Sequence, residues 1–172
     1  MHEPVIISLS AFDLQYIAMY AERQRCVKRA TGVNSKKYDK NKSEYELHYI
    51  GAMGEFAVAK HLVVPLDEAV YAIGDDGTDL MVNGWKCHVK TFAFPAKRID
   101  YFIDGMNEFT ADVGIFAQVL SPVRVKVAGC ISRARFESTA TVKNYGYGDR
   151  LKVVDEDLIP AIKLLSVQGT AK

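Results

Sequence analysis

The chain has 172 residues, of which 49% are hydrophobic and 25% are charged, and its formal net charge is +1 at pH 7. These values fit a single globular domain and exclude a disordered chain, a fibre and a protein that holds nucleic acid through its overall charge alone. Since no apolar run approaches the roughly 20 residues of a membrane-crossing helix, and the N-terminus does not have the pattern of a signal peptide, we expect a cytoplasmic protein with no membrane partner.

The first predicted element is a helix that Ser8 or Ser10 caps and that runs to about residue 29. A basic segment begins near the end of this helix and runs from Arg23 to Lys42. It contains eight Lys or Arg residues and one acid, Asp39. Such a charge run favours contact with a phosphate backbone, and the alternative is a solvated loop. The basic residues are Arg23, Arg25, Lys28, Arg29, Lys36, Lys37, Lys40 and Lys42.

A second helix is predicted from Ser43 to Leu62, because Ser43 and Glu46 have the capping-box spacing and apolar residues follow with helical period. Glu55 is its unusual residue. The positions three and four residues away, which are its neighbours on a helix surface, are small or apolar and include no cation. A strip of small residues lets another backbone approach, so Glu55 is a candidate functional residue; the alternative is an ordinary solvated glutamate.

A β-hairpin is predicted in GTDLMVNGWKCHVK, since Asn83-Gly84 between alternating apolar residues is the strongest short-range signal for a two-residue turn. Counting outward from the turn, Val82 faces Trp85 and Asp79 faces His88, with Lys90 two residues further along the same face. An acid, an imidazole and an ammonium group would then converge on a patch the size of a metal ion and a phosphate. The alternative is that these are solvent-facing positions without a function.

Further strands are predicted over residues 111–120 and 123–132, followed by a short helix capped by Ser132, a loop at 143–150 and a strand with a C-terminal helical turn over 151–165. This order of elements predicts an α/β fold built on a central sheet. Nucleotide-binding glycine loops, the zinc-protease motif and the serine-hydrolase motif are absent from the sequence. The three cysteines are widely spaced, which predicts neither disulfides nor a zinc knuckle.

The strings GAMGEFAVAKHL, GDDGTDLMVNGWKCHVKT, ADVGIFAQVL and VRVKVAGCISRARF resemble the restriction-endonuclease-like, or PD-(D/E)xK, nuclease superfamily, particularly its small single-domain members from phages and mobile elements. The resemblance covers roughly residues 43–137. It implies an α/β fold whose mixed central sheet is flanked by helices. In this single domain, 1–172, residues 43–137 would form the catalytic core, between an N-terminal helix and basic segment (1–42) and a C-terminal strand and helix (138–172).

By this resemblance, Glu55 corresponds to the helical acid of the family, Asp79 to its central metal-binding aspartate and Lys90 to its lysine, and the backbone carbonyl of Val89 is expected to face the metal. The implied function is a nuclease that hydrolyses DNA phosphodiester bonds with Mg²⁺ or Mn²⁺, in a bacterial or phage-infected cell. Oxygen ligands suit such cations, and an ammonium group stabilises developing charge. Cutting both strands commonly takes two sites, which favours a homodimer.

Where the family usually has Glu, Asp or Gln two residues before the lysine, this chain has His88. As a metal ligand, imidazole would favour Mn²⁺ over Mg²⁺; alternatively, His88 hydrogen-bonds Asp79 without touching the metal. Two other functions stay open. One is a nucleic-acid-binding or structural protein that kept the fold and lost catalysis, and the other is an unrelated α/β interaction module.

Overall fold

The computed structural model describes residues 3–30, 42–66, 77–93, 101–103, 105–144, 146 and 148–167, and these ranges form a mixed α/β structure, as the sequence predicted. The helices are α1 (Ala11–Ala30), α2 (Glu44–Leu62) and α3 (Arg133–Thr139). The strands are β1 (Val5–Ser8), β2 (Leu80–Val82), β3 (Trp85–Phe92), β4 (Tyr101–Ile103), β5 (Val113–Ser121), β6 (Arg124–Ser132), β7 (Thr141–Asn144) and β8 (Asp149–Val153).

The described strands form two sheets. The larger has the order β1-β6-β5-β3-β2, in which β3 and β5 are parallel and the other neighbours are antiparallel. The smaller is antiparallel, with the order β4-β8-β7. The predicted mixed sheet is therefore present, but helices α1 and α2 cover only one of its faces, and the small sheet with α3 packs against the other.

Helices α1 and α2 form an antiparallel pair whose ends are tied by ion pairs. Near the start of α1, Lys60 Nζ lies 2.7 Å from Asp13 Oδ2, and near its end Arg29 Nε lies 3.0 Å from Glu44 Oε2. Both helices begin as the sequence indicated. The Ser10 side chain accepts a hydrogen bond from the Asp13 amide, and Ser43 forms a complete capping box at the start of α2.

The larger sheet separates two hydrophobic clusters because side chains alternate between the faces of each strand. Cys87, Val89 and Ile115 belong to the cluster beneath the helices, whereas Phe92 and Phe116 belong to the cluster beneath the small sheet. Two buried cysteines take part in the helix-side cluster, and burial raises the pKa of each thiol to about 12. The third, Cys26, is exposed on α1, and all three are free, as predicted.

Helix α2 lies unusually close to strand β3 at Gly54. A β-carbon added to Gly54 would overlap the hydroxyl oxygen of Thr91 and would lie 2.8 Å from Thr91 Cβ. One turn earlier, the Thr91 hydroxyl donates a hydrogen bond to the carbonyl of Gly51 over 3.4 Å. The small residues beside Glu55 therefore admit strand β3, through the side chain of Thr91.

The observed secondary structure differs from the predicted one in several places. Strands β1, β4 and β7 were not predicted, and β1 pairs with β6, which is far from it in the sequence. Within the predicted loop 143–150, Lys143 and Asn144 end β7, and Asp149 and Arg150 begin β8. The C-terminal helical turn is a 3₁₀ helix, Ala161–Ser166. Within the described ranges, neither α1 nor α2 combines the length and apolar composition needed to cross a membrane.

The substitution Gly54→Ala tests the close packing of α2 on β3. It should lower the free energy of unfolding by about 1–3 kcal/mol, because the added methyl group overlaps Thr91. Gly51→Ala is the matched control on the same helix, where the added carbon meets only the Glu55 side chain at 3.8 Å. The control should raise the free energy of unfolding by up to about 1 kcal/mol through helix propensity. Urea denaturation measures the free energy of unfolding of both variants. An equal change in the two variants would contradict the close contact at Gly54.

Candidate functional site

The hairpin β2–β3 has the register that the sequence predicted. Leu80 pairs with Cys87 and Val82 with Trp85 across the turn at Asn83-Gly84. Both turn residues have left-handed backbone conformations, with φ of 49° and 85°. These angles are those of a type I′ turn, whose twist matches that of the two strands. The turn thereby fixes which residues of β3 lie beside Asp79.

Asp79 is held against the backbone of β3 just before β2 begins. Its amide donates to the carbonyl of Cys87 over 2.9 Å, and its Oδ2 accepts a hydrogen bond from the amide of Val89 over 2.6 Å. The N–H and C=O of one strand residue point to the same side of the strand. The Val89 carbonyl, which was expected to face a metal, is therefore directed to the edge of β3 on which Asp79 lies.

His88 stands beside Asp79, with 3.9 Å between its Nε2 and Asp79 Oδ2. The distance exceeds that of a hydrogen bond. Burial lowers the pKa of His88 to about 4; the positive charge of Lys90 also lowers it, and the negative charge of Glu108 opposes the shift. At neutral pH the imidazole is therefore uncharged, and one ring nitrogen carries a lone pair that can bind a metal.

Glu55 is held by a residue of the neighbouring helix. The hydroxyl of Tyr20, on α1, donates to Glu55 Oε2 over 3.0 Å. Burial raises the pKa of Tyr20, and the negative charges of Glu55 and Asp79 raise it further, so that the phenol stays protonated and remains a donor. Helix α2 packs on β3 at Gly54, the residue before Glu55, so Glu55 lies near the strand beside which Asp79 is held.

The predicted site residues reach this region from both faces of β3. Val89 is buried on the helix face, where Thr91 contacts α2, whereas His88 and Lys90 alternate with them toward the opposite face. In the described part of the chain, β2 pairs only with Trp85, Lys86 and Cys87. Residues on the two faces of β3 can therefore approach each other at the edge of the strand beyond Cys87, where Asp79 lies.

The groups at this edge are of kinds that bind divalent cations. They are the Asp79 carboxylate, the Val89 carbonyl and a neutral imidazole, and Glu55 offers a further carboxylate from α2. Within the described ranges no three His, Cys, Asp or Glu side chains are close enough to form a metal-binding group, so Asp79, His88 and Glu55 are not gathered around one point. Mg²⁺ commonly uses one or two protein carboxylates and completes its shell with water and substrate phosphate, so a small donor set suits it.

Two residues of this region were not predicted from the sequence. Glu108 ends a 3₁₀ helix, Met106–Glu108, and no spacing relates it to the hairpin. Nearby, Gly77 has a left-handed φ of 78° and lies against the side chain of Thr110, two residues beyond Glu108. Tyr20 did carry a signal. It lies on the buried stripe of α1 with Ile17 and Ala21, and a buried tyrosine hydroxyl needs a hydrogen-bond partner.

The basic segment is described only in part. Arg25 forms an ion pair with Glu22, which holds the pKa of that carboxyl at about 2, and Arg29 pairs with Glu44. The two acids that pair with these arginines, Glu22 and Glu44, lie just outside the segment. The net positive charge counted within the segment was therefore larger than the charge left unpaired there. Arg23 is exposed, whereas Lys28 and Lys42 are partly buried. Lys36, Lys37 and Lys40 lie outside the described residues.

Comparison with known proteins adds no relative at this point: no protein-family model matches the chain, and no curated protein matches it. The residues of the site and their geometry are therefore what point to a function.

The low pKa of His88 predicts a specific dependence of stability on pH. The unfolded chain protonates this histidine near its ordinary pKa of 6.5, and the folded chain does so only near 4. Between these values the unfolded state binds more protons, so lowering the pH from 6.5 to 4 costs stability, whereas above 6.5 the group has no effect.

His88→Gln removes this contribution and leaves the other titrating groups in place. Urea denaturation in EDTA, from about pH 7 down to about pH 4, should show the wild type losing more stability than the variant as the pH falls. A constant difference between the two proteins across this range would show that His88 titrates normally.

Proposed function

We propose that this protein is a metal-dependent nuclease that hydrolyses phosphodiester bonds of DNA, with its active site at the edge of β3 beside Asp79. One observation carries the proposal. The Asp79 carboxylate is fixed by the Val89 amide at 2.6 Å, next to an uncharged His88 and on the side of the strand to which the Val89 carbonyl points. The Asp79 carboxylate, the Val89 carbonyl and the His88 imidazole thus lie near one stretch of the edge of β3. In the described part of the chain, β2 pairs with β3 only as far as Cys87, before this stretch.

The arrangement of the elements supports the same proposal. An acid-bearing helix followed by a hairpin that carries an aspartate and then a lysine is the order found in the restriction-endonuclease-like superfamily, which this chain resembles. The parallel pairing of β3 with β5 and the antiparallel β6 are compatible with the mixed sheet of that fold. We propose the restriction-endonuclease-like fold on these grounds, together with the variation that a small second sheet covers one face.

Each residue has a chemical task in the proposed site. Asp79, the Val89 carbonyl and His88 would hold the cation, and Glu55 would add an oxygen from α2. When bound, the cation supplies charge neutralisation of the phosphate and a lowered pKa for a bound water molecule. Lys90 would bring an ammonium group to the phosphate and stabilise the negative charge that develops there. DNA would be held beside the site by the basic segment, in which we include all eight predicted residues.

Incubation of the protein with plasmid and linear DNA, in Mg²⁺, Mn²⁺ or EDTA, tests the function directly. We expect cleavage with either metal and none in EDTA. Asp79→Asn and Lys90→Ala should each reduce cleavage by at least about 100-fold, because a ligand or a charge-stabilising group is lost, while the thermal unfolding curves should keep their cooperative shape.

Lys86→Ala is the matched control, since Lys86 lies on the same strand but is exposed and faces Met81. It should cleave at the wild-type rate. Full activity of Lys90→Ala would refute the assignment of this site. DNA binding without cleavage in any metal would favour the alternative of a nuclease fold that has lost catalysis.

The identity of the residue at position 88 predicts a preference between metals. With an imidazole in place of a carboxylate, the site carries one negative charge fewer, and Mn²⁺ should support faster cleavage than Mg²⁺. His88→Glu restores the carboxylate and should shift the preference toward Mg²⁺. Cleavage rates are to be measured for both proteins across a series of Mg²⁺ and Mn²⁺ concentrations. Identical metal profiles would mean that His88 is not a ligand.

A further inference from the structure

Tyr20 occupies an unusual position for a residue of the first helix. Its side chain is buried among Ile17, Ala21 and residues of α2, with 7% of its surface exposed. Its hydroxyl donates a 3.0 Å hydrogen bond to Glu55 Oε2. Glu55 belongs to α2, so the bond joins the two helices.

The direction of this hydrogen bond follows from its two partners. A tyrosine hydroxyl has a single proton to donate, and here that proton goes to Oε2 of the Glu55 carboxylate. The bond therefore fixes the position of one carboxylate oxygen, and with it the direction in which the carboxylate faces.

We propose that Tyr20 is a positioning residue that sets the orientation of Glu55, and thereby the affinity of the site for its divalent cation. The inference rests on the proposed function, because it assigns Glu55 to the cation. It follows from the geometry at the helix pair: one oxygen of Glu55 is held at 3.0 Å by Tyr20, and α2 packs on β3 at Gly54, the residue before Glu55. Tyr20 does not touch the substrate and acts only through Glu55.

The test compares Tyr20→Phe, Glu55→Gln and the double variant with the wild type. Tyr20→Phe keeps the ring in the core and removes only the hydroxyl. The half-saturating concentration of Mn²⁺ for DNA cleavage should rise roughly tenfold or more, which is typical when a partner of a metal ligand is lost. The rate at saturating Mn²⁺ should stay near the wild-type value. In the Glu55→Gln background, Tyr20→Phe should have little further effect, because the carboxylate that Tyr20 orients is absent.

Tyr49→Phe is the matched control. Tyr49 is a partly buried tyrosine of α2 that stacks on Tyr45, so this variant removes the same hydroxyl group from the same helix pair. It should leave the Mn²⁺ dependence unchanged. Direct titration of Mn²⁺ onto each protein, by water-proton relaxation without DNA, measures the affinity independently of cleavage.

The outcomes separate this inference from the proposed function. A wild type that binds Mn²⁺ and cleaves DNA, beside a Tyr20→Phe variant with the same Mn²⁺ dependence, would overturn the inference alone. Losses from Tyr20→Phe and Glu55→Gln that simply add would also overturn it, because Tyr20 would then act by another route. A wild type that neither binds Mn²⁺ nor cleaves DNA would overturn the proposed function and this inference together.

Discussion

The contact between Gly54 and Thr91 sets how closely helix α2, which carries Glu55, lies on strand β3. A helix packed on a sheet is normally held away from it by the side chains between them, but at position 54 there is no side chain, and the helix backbone meets Thr91 directly. The Thr91 hydroxyl also bonds the Gly51 carbonyl, which fixes the helix along the strand. Since Glu55 follows Gly54, its distance from the edge of β3 is set by this contact. A larger residue at 54 would move the acid as well as the helix.

The candidate site carries charges of both signs. Asp79 and Glu55 supply negative charge, Lys90 supplies positive charge, and His88 is neutral because its burial disfavours the protonated form. The Asp79 carboxylate accepts a hydrogen bond from the Val89 amide, and the Glu55 carboxylate accepts one from the Tyr20 hydroxyl. Hydrogen bonds to a charged group stabilise its charge, so each of these acids is held by a neutral donor.

Local signals in the sequence predicted the parts of the structure that depend on near neighbours. The hairpin followed from Asn83-Gly84 because the turn type fixes the register, and α2 followed from its capping box. The small sheet, the strand β1 and the approach of Glu108 to His88 depend on contacts between distant segments, which periodicity does not encode. The Tyr20–Glu55 bond lies between these cases: Glu55 was a candidate from the sequence, as an acid among small residues, whereas Tyr20 was not predicted, and only the packing of α1 on α2 pairs them.

The unequal burial of the three cysteines makes the molecule suitable for site-specific labelling. The thiols of Cys87 and Cys130 are enclosed in the sheet, and their raised pKa keeps them in the unreactive protonated form at neutral pH. Cys26 is exposed, between Arg25 and Val27 on the outer turns of α1. A maleimide dye added under native conditions would therefore attach at one known position beside the basic segment, and its fluorescence would report what approaches that surface without any change to the sequence.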